Sequence, residues 1–239
     1  MIAAVLQARM SSTRLPGKVL ADVVGAPMIL RQIERLRRIP SLDRLIVATS
    51  DDASDDVLAE TLEAAGIEAF RGPLDDVLAR FAGAIEGLAD DDLVLRLTAD
   101  CPLADPDLIE RLLVHHQAVG ADYSATTHPA RTYPIGLDAE LLSAGLLRLA
   151  AREAADPYER EHVTPFVYRR PERFMLDGVM QEIDESAVRW TVDLPSDLAF
   201  VREVYGALYA ETPAFTSDAV RALVAGREDL RTLGDLRRG

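Results

Sequence analysis

The 239-residue chain has one cysteine, one lysine and no long apolar run, and each scarcity excludes something. A single thiol, Cys101, permits no intramolecular disulfide, so a reducing cytoplasm is the expected compartment. No stretch approaches the roughly 20 apolar residues of a membrane span. Residues 1–8 run into charge at Arg9 with no small-residue cleavage site, so no secretory leader is expected. Basic groups are in deficit: 26 Lys and Arg against 40 Asp and Glu leave a net charge of −14, which argues against nucleic acid or an anionic membrane as partner. At 49% hydrophobic and 28% charged residues the chain is not a disordered tail, and it can bury one good-sized core.

The positive charge that exists is local. Residues 1–38 hold seven basic groups against Asp22 and Glu34, which marks an anion site on an otherwise acidic body. Arg31, Arg35, Arg37 and Arg38 fit the end of a helix, where cations suit the dipole. Arg9, Arg14 and Lys18 have no such account. Lys18 is the only lysine, and every other basic residue is arginine, so position 18 stands out as one that wants a compact ammonium instead of a guanidinium fork.

Short apolar runs at residues 2–6, 45–48 and 93–97 read as buried strands. Helical stripes alternate with them: residues 27–38 behind Pro27, then Val57, Leu58 and Leu62 from a start near Ser54. A third helix opened by Pro73 carries Val77, Leu78, Phe81, Ile85 and Leu88, and a fourth carries Leu108, Ile109, Leu112 and Leu113. This alternation predicts an α/β fold with a mostly parallel, doubly wound sheet covered on both faces. Later segments read as a strand at 123–127, an extended run at 137–142, a helix at 146–155, a strand at 189–192 and helices at 195–208 and 217–224. One domain spanning 1–239, with a mixed-sheet insertion near 125–185, is the expected organisation.

In such sheets ligands sit beyond the carboxyl ends of the strands. The loop leaving the first strand there, residues 7–18, offers three cations, three hydroxyls and a run of backbone N–H groups, the parts that hold a triphosphate. It has neither the Walker spacing nor the Gly-x-Gly-x-x-Gly of dinucleotide folds. The string Ala8-Arg9-Met10-Ser11-Ser12-Thr13-Arg14-Leu15-Pro16-Gly17-Lys18-Val19-Leu20 resembles the opening motif of the cytidylyltransferases that make CMP-activated acidic sugars. These are the CMP-Kdo and CMP-N-acylneuraminate synthetases, and the likeness is strongest to their spore-coat polysaccharide biosynthesis branch. Residues 97–106 (LTADCPLADP), 161–169 (EHVTPFVYR) and 190–198 (WTVDLPSDL) resemble three later motifs in order.

The resemblance implies a GT-A-like nucleotidyltransferase fold, CTP as donor, a small acidic acceptor, magnesium as cofactor and a homodimer. By motif, Arg9, Arg14 and Lys18 bind the triphosphate with Ala8, Ser11 and Ser12 beside them, Asp100 and Asp193 hold magnesium, and His162 faces the acceptor. This chain departs from the Kdo enzymes at Cys101, where they carry an acidic residue, and it lacks an identifiable acceptor-side Glu-Gln pair.

The carboxylates also have readings of their own. Asp100 and Asp193 each follow an apolar run at the edge where the basic loop emerges, and from the residues alone they fit either a shared hard cation or helix caps. Asp51, Asp52, Asp55 and Asp56 read as a solvated helix start. Asp90, Asp91 and Asp92 precede their strand and so lie at the wrong edge. His115 and His116 read as core or interface packing on a helix, His128 carries no spacing signal, and Cys101 reads as packed in its loop without a histidine partner. The reaction expected is attack of an acceptor hydroxyl on the α-phosphate of CTP with release of pyrophosphate. A GT-A glycosyltransferase using a nucleotide sugar and a non-catalytic nucleotide-binding protein are the rival readings.

Overall fold

The computed structural model describes residues 1–230. The first apolar run forms β1 (Ile2–Gln7), and its alternate side chains serve two cores: Ala4 and Leu6 face one side of the sheet, Ala3 and Val5 the other. The loop after β1 ends in a tight 3-10 turn at Lys18–Leu20 and a small hairpin of β2 (Asp22–Val23) and β3 (Ala26–Pro27). Helix α1 (Met28–Leu36) leads to β4 (Arg44–Ser50), α2 (Asp56–Ala64) to β5 (Ala69–Gly72), and α3 (Val77–Ala84) to β6 (Leu93–Thr98). Then come α4 (Pro106–Val119), β7 (Tyr123–Ala125), β8 (Glu140–Ser143) and α5 (Ala144–Glu153). The short helices α6 (Pro157–His162) and α7 (Pro165–Tyr168) precede β9 (Leu176–Gly178), and α8 (Pro195–Leu208) and α9 (Ser217–Gly226) follow.

Seven strands make one sheet in the order β5-β4-β1-β6-β8-β7-β9. All neighbouring pairs are parallel except those of β8, which runs against both β6 and β7. The sheet is the mostly parallel α/β layer expected. Helices α1, α2 and α4 cover one face through Ile29, Ile33, Leu58, Leu62, Ile109 and Leu112. The other face is covered by α3, α5 and α7 through Phe81, Leu147 and Phe166. Among the described residues no helix is long and apolar enough to cross a membrane.

The topology places the site. From β1 the chain crosses to β4 on one side, whereas β6 lies on the other, and Gln7 pairs with Thr98 at the carboxyl ends of β1 and β6. The loops leaving these two strands therefore part from one another, which opens a crevice there.

Two expected elements differ. Helix α3 begins after Asp76, not at Pro73, because the Asp76 carboxylate accepts the Ala79 N–H at 3.0 Å as its cap; Ile85 and Leu88 stay buried in the turn beyond it. Residues 189–192 are extended but join no sheet. Their backbone partners are loops: Trp190 N–H donates to Ile135 O at 2.7 Å and Val192 N–H to Asp100 O at 2.8 Å. Gly136, at φ +109°, allows this passage, since a Cβ there would lie 2.6 Å from Thr191 N. The Val192–Asp100 bond brings the two distant candidate carboxylates side by side.

Candidate active site

The loop after β1 is shaped from within and below. Met10 O accepts the Ser12 and Gly17 N–H groups at 2.9 and 3.0 Å, and Met10 N–H donates to Asp55 Oδ1 at 2.6 Å. Gly17 takes a left-handed φ of 72°, which turns the chain so that Lys18 enters the crevice. Asp55 corrects the expectation of a solvated acidic run. It is fully buried, and it also accepts Thr49 Oγ1–H, Ser50 N–H and Ser50 Oγ–H, donors that compensate its desolvation. Sequence reasoning missed it because a short acidic run before a helix looks the same whether it faces water or a loop. Asp55→Ala is expected to cost roughly 2–3 kcal/mol by leaving several buried donors unpaired, measured by urea denaturation. A change within about 0.5 kcal/mol would remove Asp55 as the anchor of the loop.

Two adjoining cavities share Thr98, Asp100 and Asp193. The smaller, about 200 Å³, is lined by Ala8, Arg9, Ser12, Arg14 and Lys18 of the loop. Gln7 also lines it, with Oε1 buried and unpartnered among the described residues, a polar group at the end of an apolar strand that sequence reading passed over. Ser11 does not line either cavity; its Oγ is buried without a partner among the described residues, whereas Ser12 Oγ accepts Leu15 N–H at 3.3 Å.

Asp193 is the charge centre. Lys18 Nζ lies 2.9 Å from Asp193 Oδ1, Arg14 Nη2 also 2.9 Å from it, and Arg189 pairs with Oδ2. The same Nζ is 3.3 Å from Asp100 Oδ2 and 2.6 Å from Val192 O. Burial pushes the Asp193 carboxyl up, but Lys18, Arg189 and Arg14 outweigh it and hold the group below the ordinary carboxylate range. The helix-capping roles fall to neighbours: Asp105 accepts the Asp107 and Leu108 N–H groups at the start of α4, and Asp197 Oδ2 accepts Asp193 N–H and Leu194 N–H at 2.8 and 2.9 Å. Both candidate carboxylates are thus turned toward the crevice and within reach of one small cation.

The larger cavity, about 490 Å³, continues toward β7 and β8 and is lined by Arg96, Arg131, Arg189, Tyr123, Glu140 and Tyr168 among others. Its floor is an ionic network that sequence reading did not find, because its members stand 17 to 44 residues apart. Glu140 pairs with Arg96 and accepts Tyr123 Oη–H at 2.6 Å and Thr164 Oγ1–H at 2.5 Å. Burial raises the Glu140 carboxyl, and the Arg96 charge with the three hydrogen bonds brings it below the usual glutamate value. His162 lies elsewhere: it is exposed on α6, packs against the Tyr158 ring at 4.3 Å and lines neither cavity. Its segment reaches the cavity through Tyr168 instead, while Thr164 bonds to Glu140 of the lining. Cys101 is buried with its thiol pushed well above the ordinary value by burial and by Asp100 and Asp138, so it is no ready nucleophile. His116 is buried against Ser124 Oγ at 2.8 Å, as a structural histidine.

Comparison with known proteins identifies the family. The family model described as Cytidylyltransferase matches residues 3–215. The spore coat polysaccharide biosynthesis protein SpsF of Bacillus subtilis (strain 168) is 31% identical over 208 residues, 84% of this chain and 85% of that protein. A 3-deoxy-manno-octulosonate cytidylyltransferase of Anaeromyxobacter dehalogenans (strain 2CP-C) is 38% identical over 114 residues, 47% of this chain and 46% of that one. Among solved structures, a cytidylyltransferase from Leptospira borgpetersenii serovar Hardjo-bovis (strain JB197) superposes with a TM-score of 0.87 at 27% identity, covering 96% of this chain and 95% of that one.

Proposed function

Because the chain belongs to the cytidylyltransferase family, we propose that it transfers CMP from CTP to a sugar acid, with magnesium and with release of pyrophosphate, in surface polysaccharide biosynthesis. The observation that carries the reading is the crevice itself. Arg9, Arg14 and Lys18 meet Asp100 and Asp193 at the carboxyl ends of β1 and β6, and a second cavity opens from the same two carboxylates. The relative that is named a 3-deoxy-manno-octulosonate cytidylyltransferase supports a sugar acid as acceptor.

The acceptor hydroxyl gives up its proton to solvent and forms a bond to the α-phosphorus of CTP, the bond from that phosphorus to the bridging oxygen breaks, and pyrophosphate leaves. Arg9, Arg14 and Lys18 neutralise the leaving pyrophosphate, and the acceptor lies in the cavity floored by Arg96 and Glu140. Holding the two reactants in adjoining cavities supplies the orientation that such a transfer needs. Two carboxylates that meet on one cation, here the Lys18 ammonium, are hard oxygen donors that fit a magnesium ion, which Asp100 and Asp193 would hold. Magnesium supplies neutralisation of charge on the phosphate oxygens. No Asp-x-Asp follows β6, where a nucleotide-sugar glycosyltransferase would want one; Asp100 is followed by Cys101 and Pro102.

The inserted segment supports a homodimer. Met175, Met180 and Ile183 are exposed along and beyond the edge strand β9, Ile183 to 74%. The cytoplasm is the compartment that this reading assumes.

Nucleotide choice tests the donor. Thermal unfolding with saturating CTP and magnesium is expected to show a clear upward shift, about 2.7 kcal/mol of stabilisation at a hundred times Kd. ATP and GTP are expected to shift it far less. Equal shifts with all three would mean that the loop holds phosphate alone, and the assignment of CTP would fall.

A further inference from the structure

Lys18 has a second role that goes beyond triphosphate binding and rests on the reading of Asp100 and Asp193 as metal ligands. We infer that Lys18 is the resident cation of this carboxylate pair, holding the two together before a divalent ion arrives and competing with that ion for them. Lys18 is 9% exposed, and its ammonium has three N–H donors. It faces three acceptors: Val192 O at 2.6 Å, Asp193 Oδ1 at 2.9 Å and Asp100 Oδ2 at 3.3 Å. No proton is left over for a phosphate.

Two carboxylates held together in a half-buried crevice repel each other, and the ammonium removes that penalty. A hard divalent ion needs the same oxygens. The two cations therefore exclude one another, and Lys18 can turn to the triphosphate only by leaving the pair. Arg14, bound to the same Asp193 oxygen, adds a weaker claim because its side chain is 59% exposed. The residue type fits this double duty. A compact ammonium on a four-carbon stem can sit between two carboxylates and then relocate, whereas a planar fork cannot be accommodated as a point charge. It is also the one place in the chain where lysine stands and not arginine.

The consequence is read without turnover. Binding of Mn²⁺ alone, without nucleotide, is followed by the loss of its free-ion electron paramagnetic resonance signal. Lys18→Met is expected to bind Mn²⁺ at least about tenfold more tightly than the parent, because the competitor is gone. Lys18→Arg keeps the charge but not the point geometry, so it is expected to bind Mn²⁺ more tightly than the parent and less tightly than Lys18→Met. Asp193→Asn is expected to abolish the site in both the parent and the Lys18→Met background. Equal or weaker Mn²⁺ binding by Lys18→Met, with the site still lost in Asp193→Asn, would overturn the inference and leave the metal ligands standing. Mn²⁺ binding indifferent to Asp193→Asn would overturn both. Should Lys18→Met fail to fold by circular dichroism, Lys18→Gln, which keeps a polar group against Val192 O, carries the same expectation and the same refutation.

Discussion

Asp193→Asn and Asp100→Asn should each lower kcat by at least about a thousandfold, roughly 4 kcal/mol of transition-state stabilisation, and the double change should cost little more than either. The basis is proximity: both carboxylates lie within 3.3 Å of the same Lys18 ammonium, so they can act on one cation as a unit. Groups that act as a unit are strongly non-additive, because the first loss already disables the second. The amide nearly preserves shape, so the loss is one of charge. The two variants should differ in stability. Asp193 also anchors Arg14 and Arg189, whereas the ion pair of Asp100 is with Lys18 alone among the described residues. Steady-state kinetics on the three variants decides the matter. Losses that simply add would assign the two residues to separate roles.

Glu140→Ala is expected to destabilise the fold by roughly 3–5 kcal/mol near neutral pH, because it strands the largely buried Arg96 guanidinium without its counter-charge. Thr164 and Tyr123 lose an acceptor in the same change. The effect carries a pH signature. The Glu140 carboxyl is held below its ordinary value of 4.5 in the folded protein, so the unfolded chain takes up the proton first as acid is added. Its stabilisation is therefore fully present above about pH 4.5 and is lost as pH falls through the lower, folded value. The stability gap between parent and variant, from urea denaturation, should be widest near neutrality and should narrow below about pH 4. A gap that does not change with pH would show that the loss is one of packing and not of charge.

Periodicity carried most of the fold. The stripes of α1, α4 and α8 and the apolar runs of β1, β4 and β6 are local patterns, legible because each buries one face or both faces of its own element. Strand β5 was not legible, since Ala-Phe-Arg-Gly has neither alternation nor an apolar run and forms only by pairing with β4. The segment at 189–192 looked like a strand for a real reason, as it is extended and apolar. Its partners are the loops at Ile135 and Asp100, which no local pattern announces.

The site divides in the same way. Arg9, Arg14 and Lys18 share one short loop, so their meeting follows from the chain. Asp100 and Asp193 are 93 positions apart and are brought together by the Val192–Asp100 backbone bond; the residues alone left a shared cation and helix caps both open, and the motif resemblance favoured the cation. Asp55, Arg96 and Glu140 belong to no motif read in the sequence, and their roles come from burial and long-range partners. His162 shows the opposite limit, since a residue inside a matching motif lies on the outer side of its helix.

The most direct test of CMP transfer is phosphorus NMR of CTP and magnesium with the protein and a panel of 2-keto sugar acids. With at least one of them a new phosphodiester resonance of a CMP-sugar is expected to grow in step with pyrophosphate, and no such signal is expected from the Asp100→Asn/Asp193→Asn protein. CTP left intact with every sugar acid, while a nucleotide-sugar donor is consumed by the same protein, would contradict CMP transfer.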